Sequence, residues 1–461
     1  MRGDEAKLIR LERALGRDIV SVDVPEPYWN DWAGLSPVVP RALVRPRTPQ
    51  EVAETLRICN ELALGVTPQG GRTGLAAGAR PSPGSVVLSL ERLAGVEEVD
   101  AAAAVMRVRA GTVLAHAQQA ALEAGLLLPL DLGARGSCQI GGNLATNAGG
   151  NKVIRFGMAR EMVLGLEVAL ADGTLLSNLT TFLKNNAGFD LKQLFIGSEG
   201  TLGIITRASL RLQPAPSTRS AAFLAVSGFD AVLEVLRRAR RHLAGLLSAF
   251  EVMWPEFYEL FTGELPHLRR PLRPGLGLYL LVEAQGFEAE ADEARLLDLL
   301  ERLHREGLVV DGAVATSERE VEEFWAVRDA VAEIPRLFGR HLNFDLGLDL
   351  RRMHTFAADC RRELGARFPS LRAIVFGHIG DGNLHLVTDL PGGIEPQAVE
   401  EIVYATVRAH GGSISAEHGI GTIKKPYLGL VRSPEEIAAM RRLKQALDPR
   451  GILNPGKVLD P

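Results

Sequence analysis

Cysteine is nearly missing from these 461 residues. Cys59, Cys138 and Cys360 are scattered and form no CxxC, which excludes a disulfide framework and a thiolate zinc site and fits a reducing compartment. Long apolar runs are missing too, so the chain is not expected to span a membrane. The opening MRGDEAKLIRLERAL mixes charges with apolar residues at helical spacing, unlike a targeting segment, so a cytoplasmic location is expected. Nor is there a surplus of positive charge. Lys and Arg total 52 against 56 Asp and Glu, a net charge of -4 that gives no field for gathering nucleic acid. Lysine itself is scarce, 8 residues against 44 arginines.

What is present is a globular balance, 46% hydrophobic and 23% charged, in a chain long enough for two large domains. After a lead-in rich in proline and aromatics, Thr48-Pro49-Gln50-Glu51 reads as a capped helix start running to about Ala63, with Gly65 as its stop. Short strands follow at 86–90 and 105–110, then a second capped helix from Thr112 to Ala124. Residues 162–177 read as two strands joined at Asp172-Gly173, and 200–212 as another strand. The proline-rich stretch 213–220 marks a boundary, beyond which helices and strands alternate again.

Four segments are dense in glycine: PQGGRTGLAAG (68–78), GSCQIGGNLATNAGG (136–150), GSEGTLGII (197–205) and GIGTIKK (419–425). Such loops let backbone N–H groups approach an anion closely, and a phosphate-bearing ligand is the natural reading. None has the GxGxxG of a dinucleotide fold or the GK[ST] of a triphosphatase loop.

Together these segments resemble the flavin-binding domain of the vanillyl-alcohol-oxidase type, in the branch of FAD-linked D-2-hydroxy-acid dehydrogenases. The similarity runs through the whole chain to DPRGILNPGK (448–457) and is near the D-2-hydroxyglutarate, D-lactate and glycolate dehydrogenases. The resemblance implies an α+β fold with a helical lead-in (1–35), a two-lobed FAD-binding domain (36–215), an α/β substrate or cap domain (216–410) and a C-terminal segment (411–461) returning to the flavin domain. It implies noncovalent FAD, since no histidine stands where covalent relatives tether the ring. On that template Pro68, Gln69, Gly70, Gly71, Arg72, Thr73, Gly74 and Gly78 wrap the pyrophosphate. Pro129, Ser137, Cys138, Gly141, Gly142, Ala145, Thr146, Asn147 and Gly150 line the flavin and its ribityl chain. Gly200, Gly203, Ile204 and Ile205 hold the adenine side, and Asn454 returns to the flavin.

The stretch AIVFGHIGDGNLHLVTDL reads as a β-hairpin. With Gly380–Asn383 as its loop and Ile379 facing Leu384, His378 and His385 form the next opposed pair, their Cβ atoms about 5 Å apart. Two imidazoles so placed can grip a divalent metal, with Glu417 as a carboxylate ligand; that donor set suits zinc, iron or manganese. Oxidising an α-hydroxy acid requires the hydroxyl to lose its proton, and a cation makes that loss easier. His418 is then the general base, as on the family template. The resemblance nominates Arg328 and Asn383 as substrate contacts and Lys424 beside them.

The template's threonine and lysine for a second carboxylate are here Ala332 and Asn343, so 2-hydroxyglutarate, lactate and glycolate all remain open as substrates. Reduced flavin then needs an external acceptor such as an electron-transfer flavoprotein, a quinone or an iron–sulfur subunit, because no cysteine cluster can hold such a centre internally. A homodimer is one oligomeric state left open. The alternative is a flavin-binding catalytic subunit of a multi-subunit glycolate oxidase complex, inactive alone; a metal-dependent hydrolase would leave the glycine segments unexplained.

Overall fold

In the computed structural model, which describes residues 2–460, Thr48 caps the helix Pro49–Glu61: its side chain accepts from the Glu51 N–H while Glu51 reaches back to the Thr48 N–H. The helix ends earlier than Gly65. Ala63 takes the left-handed conformation at φ 50° and the Leu64 N–H bonds back to the Cys59 carbonyl, which satisfies the last turn. The second helix, Leu114–Glu123, departs from expectation at its start. Val113 precedes it without a side-chain cap, and the Thr112 hydroxyl pairs instead with the backbone of Gly95.

The chain forms two compact units. The first comprises the residues up to Gly150, Gly157–Ala215 and everything from Glu417. One of its lobes is a four-stranded sheet in the order β1-β2-β4-β3, built from β1 (Val20–Ser21), β2 (Leu43–Val44), β3 (Val66–Gln69) and β4 (Val86–Ser89). The pairs β2/β4 and β3/β4 are parallel, and β4 is buried along its whole length, as a strand covered on both faces must be. The returning C-terminus joins this lobe, with the Val66 N–H bonding Ile452 and the Asn454 N–H bonding Val66.

The other lobe is an antiparallel sheet in the order β5-β6-β10-β8-β9: β5 (Val96–Asp100), β6 (Val105–Arg109), β8 (Val163–Ala169), β9 (Leu175–Asn178) and β10 (Ile204–Arg211), with a separate pair β7 (Leu126–Leu127) and β11 (Gln213–Pro214). The Asp172-Gly173 turn joins β8 to β9, Gly173 adopting φ 89°. β10 starts only at Ile204, because Gly200–Gly203 form the turn before it.

The lead-in belongs to this first unit. Val24 and Tyr28 pack with Leu43 and Val87, and the Gln69 amide donates to the Tyr28 carbonyl at 3.0 Å.

The second unit comprises Asn151–Phe156 and Pro216–Ala416. It is one seven-stranded antiparallel sheet, order β15-β12-β14-β13-β17-β18-β16. The strands are β12 (Thr218–Val226), β13 (Leu247–Met253), β14 (Leu278–Gly286), β15 (Asp311–Val314), β16 (His341–Gly347), β17 (Ala373–Gly377) and β18 (Asn383–Asp389). Its core is aromatic, with Tyr258 and Tyr279 stacked at 3.8 Å and Phe223, Phe257 and Phe324 around them. Residues 151–156 pack within this unit: Arg155 donates to the Gln285 carbonyl at 2.6 Å, and Ile154 lies against Gly380. All three thiols are buried, and burial pushes those of Cys59 and Cys360 up to about 12.

Candidate functional site

In the first unit the glycine segments meet as one hydrogen-bonded cradle. The loop after β3 touches the second segment so closely that a Cβ on Gly71 would lie 2.0 Å from the Ser137 carbonyl oxygen. Asn454 donates through Nδ2 to the carbonyls of Gly78, at 3.0 Å, and Glu199, at 2.8 Å. The Glu199 N–H bonds the Ala145 carbonyl, and its carboxylate accepts from the N–H groups of Ile420 and Gly421 at 2.7 and 2.8 Å. Gly421, at φ 51°, sits where a Cβ would be 1.8 Å from the Ala76 carbonyl. Glu417 Oε1 accepts from the Gly150 N–H at 2.8 Å.

Two features mark the cradle as built for a ligand. Arg72, Ala77, Asn147 and Glu199 within these segments, and Asn454 on the returning C-terminus, all adopt positive φ although none is glycine; such strain persists where function requires it. The buried Gln69 Oε1, Gln139 Oε1 and Asn454 Oδ1 have no protein partner, and buried acceptors of this kind call for one. A polar ligand with hydroxyl and imide N–H donors, as FAD has, fits them.

Gln139 falls inside the stretch Ser137–Asn147 that the resemblance sets along the flavin, and Glu199 ties the glycine segments together through backbone N–H groups. Gly200 stands at φ 70° against Pro68. Cys138 is buried and accepts a weak bond from Asn143, Thr146 bonds the Gly142 carbonyl, and Asn147 accepts from the Arg160 N–H. Gly203 lies against Val168 and Phe195, and Ile204 and Ile205 are buried at the start of β10, directly after the Gly200 turn. Their sheet position follows from the apolar run after Leu202.

Burial drives the Glu199 carboxyl above its ordinary range, against the opposing pull of its two N–H donors. Burial also pushes the Lys457 ammonium down to about 8, with Arg80 adding repulsion; its amine donates to Ser82 Oγ at 2.8 Å.

In the second unit the histidine hairpin forms with a different register from the expected one. His385 stands opposite Phe376 on one side and Asp345 on the other. His378 lies past the end of β17, where its carbonyl accepts from the N–H groups of Asp381 and Asn383 around a short 3-10 turn completed by Gly382 at φ 91°. The turn curls His378 back over the hairpin, and the two rings still meet edge to face, centroids 5.3 Å apart. Ring nitrogens of His378 and His385 come within 4.8 Å of each other, as do a His385 nitrogen and an Asp345 carboxylate oxygen.

Beneath His378 is a buried triad. Glu251 on β13 accepts from His378 Nδ1 at 2.6 Å through Oε1 and from Arg328 Nε at 2.7 Å through Oε2. Arg328 Nη2 faces His378 Nε2 at 3.1 Å. A guanidinium only donates, so Nε2 accepts and the ring proton sits on Nδ1 toward Glu251. Burial works to raise the Glu251 pKa, and the interactions with His378 and Arg328 overcome it and hold the carboxyl below its ordinary value. Arg328 is therefore enclosed, its guanidinium over the Phe376 ring. Asn383 is buried with neither amide atom bonded to protein. Glu251 and Asp345 escaped the sequence reading; a lone acid inside an apolar strand such as LSAFEVM was the signal for the first. Glu417 and His418 open the return segment of the first unit, and Lys424 on the same segment is buried. Among the described residues, no helix is long and apolar enough to cross a membrane.

Comparison with known proteins shows the family and the fold. Residues 40–178 match the FAD binding domain family, and residues 215–458 match the C-terminal domain of FAD linked oxidases. The mitochondrial D-2-hydroxyglutarate dehydrogenase of Bos taurus is 44% identical over 99% of this chain and 84% of its own length. A putative mitochondrial D-lactate dehydrogenase of Schizosaccharomyces pombe is 38% identical over 93% and 83%. The D-2-hydroxyglutarate dehydrogenase of Xanthomonas citri is 38% identical over 94% and 92%. Among solved structures, p-cresol methylhydroxylase superimposes with a TM-score of 0.81 at 17% identity, covering 100% of this chain and 98% of that one, which speaks to fold alone. The α+β architecture, the flavin-type cradle and the full-length similarity together make this chain a member of the FAD-linked D-2-hydroxy-acid dehydrogenase family.

Proposed function

We propose that the protein oxidises a D-2-hydroxy acid, with 2-hydroxyglutarate, lactate and glycolate as the candidate substrates, to the 2-oxo acid and passes the electrons to an external carrier. The FAD cradle would be formed by the loops at 68–78 and 137–150 with Gly200 and Asn454. His378, His385 and Glu417 would hold a divalent metal, for which two imidazoles and a carboxylate make a suitable donor set for zinc. When bound, the flavin supplies a hydride acceptor and the cation makes the substrate hydroxyl more acidic.

Each protein group then has a definite task. His418 takes the hydroxyl proton as the carbinol hydride leaves, the general-base task for which an imidazole is suited. Arg328 offers a planar pair of donors to the substrate carboxylate, geometry that lysine lacks. The Asn383 amide, buried with both atoms unbonded to protein, supplies a donor and an acceptor for a polar substrate. The reading is carried above all by the His378–His385 ring pair, with a buried carboxylate, Glu251 or Asp345, beside each ring on the flanking strand.

The test is anaerobic mixing of the FAD-loaded protein with D- and L-hydroxy acids while the flavin absorbance is followed, before and after chelation. Bleaching by D-acids that chelation abolishes is expected, and His418→Ala should retain FAD yet bleach at least about 100-fold more slowly. Bleaching by L-acids alone, or at full rate after complete metal removal, would refute the proposal.

A further inference from the structure

The Glu251 carboxylate uses both oxygens on two different groups, His378 Nδ1 through Oε1 and Arg328 Nε through Oε2. The consequence is geometric. Held from below at these atoms, the two side chains present their remaining functional atoms side by side, His378 Nε2 and Arg328 Nη2 standing 3.1 Å apart. We propose that Glu251 is a positioning residue that couples the metal ligand His378 to the carboxylate clamp Arg328. The inference rests on the function proposed above, in which these two residues serve metal and substrate.

Three points support it. Glu251 is 1% exposed, so its orientation is fixed by packing and by these two bonds rather than by solvent. An acceptor on Nδ1 fixes which ring nitrogen of His378 carries the proton and leaves Nε2 as the lone-pair donor that a metal requires. That same lone pair now accepts from Arg328 Nη2, so metal uptake at Nε2 must release one guanidinium N–H. The released donor needs a new acceptor, and a hydroxy-acid carboxylate is chemically suited to supply it. One buried carboxylate would thus make metal binding and substrate binding mutually favourable.

Sequence distance hid this arrangement. Glu251 stands 127 positions from His378 and 77 from Arg328; it meets the first because β13 flanks β17 in the sheet, and the second from the helix Glu318–Asp329.

The experiment uses the full FAD-loaded chain and two substitutions, Glu251→Gln and Glu251→Asp. Glutamine keeps the volume but has one acceptor oxygen for two donors; aspartate keeps the charge but is too short to span both. Zinc affinity is measured by competition with a chromophoric chelator, and KM and kcat for the best D-hydroxy acid are measured at saturating zinc. Zinc affinity should fall roughly 10- to 100-fold in Glu251→Gln, and KM should rise about tenfold or more, with FAD content unchanged. Glu251→Asp should show both losses to a smaller degree and keeps the test alive if the glutamine variant does not fold. A merely structural role would lower thermal stability without moving zinc affinity and KM together. Folded variants with wild-type zinc affinity and KM overturn the coupling while the proposed function stands; a wild-type protein that takes up no divalent metal and turns over fully after chelation overturns both.

Discussion

Glu199→Gln separates two effects of one buried side chain. The carboxylate accepts the N–H groups of Ile420 and Gly421, which lie just after His418 on the same loop, and the amide that replaces it has one oxygen and one NH2 group. One backbone donor therefore faces another donor, and a buried N–H without an acceptor costs about 1–3 kcal/mol. A local opening energy lowered by that amount speeds amide exchange roughly 5- to 150-fold. The assay is hydrogen–deuterium exchange followed by mass spectrometry on peptides covering residues 417–424, with the helix Pro49–Glu61 as an internal control whose exchange should not change.

The pH dependence carries an independent sign. Burial holds the folded Glu199 carboxyl above its ordinary pKa, so between the ordinary and the raised value the folded state binds more protons than the unfolded chain. Its contribution to stability therefore falls as pH rises from the ordinary carboxyl value through the raised one, and Glu199→Gln removes that fall. Exchange in 417–424 that matches the wild type, together with an unaltered pH profile of unfolding, would refute the role given to Glu199.

Two further outcomes follow from the same cradle. In Gly71→Ala the new methyl would start 2.0 Å from the Ser137 oxygen, while ordinary contact begins at 3.4 Å, so the two loops must part by more than an ångström; FAD affinity should fall about 100-fold, read from flavin absorbance after gel filtration, and a variant that stays fully loaded would contradict the contact. In the apoprotein, the Lys457 ammonium is depressed from 10.5 to about 8, so the unfolded chain binds more protons between those values and stability rises with pH across that window. The displacement corresponds to about 3 kcal/mol, and Lys457→Met should flatten the rise in urea unfolding between pH 8 and 10.

The parts legible in sequence were those encoded locally. Thr48-Pro49-Gln50-Glu51 carries its capping box in four consecutive residues, and Asp172-Gly173 carries its own turn. The glycine segments showed as a set because each needs its own close approach or unusual φ. The histidine register was misread for a local reason as well: the chain turns through a 3-10 segment with Gly382 at positive φ, which removes His378 from the ladder and leaves Phe376 opposite His385. Glu251 and Asp345 lie beyond the reach of any local pattern because their partners come from elements distant in sequence: His378 past the end of β17 and Arg328 on the helix Glu318–Asp329 for the first, His385 on β18 for the second.

The burial of Cys59, Cys138 and Cys360 has a practical consequence for labelling chemistry. With their thiols held in the protonated, poorly nucleophilic form, maleimide and iodoacetamide probes should pass over the native protein. A single cysteine introduced on an exposed loop could then carry a spin label or dye without any native residue being replaced.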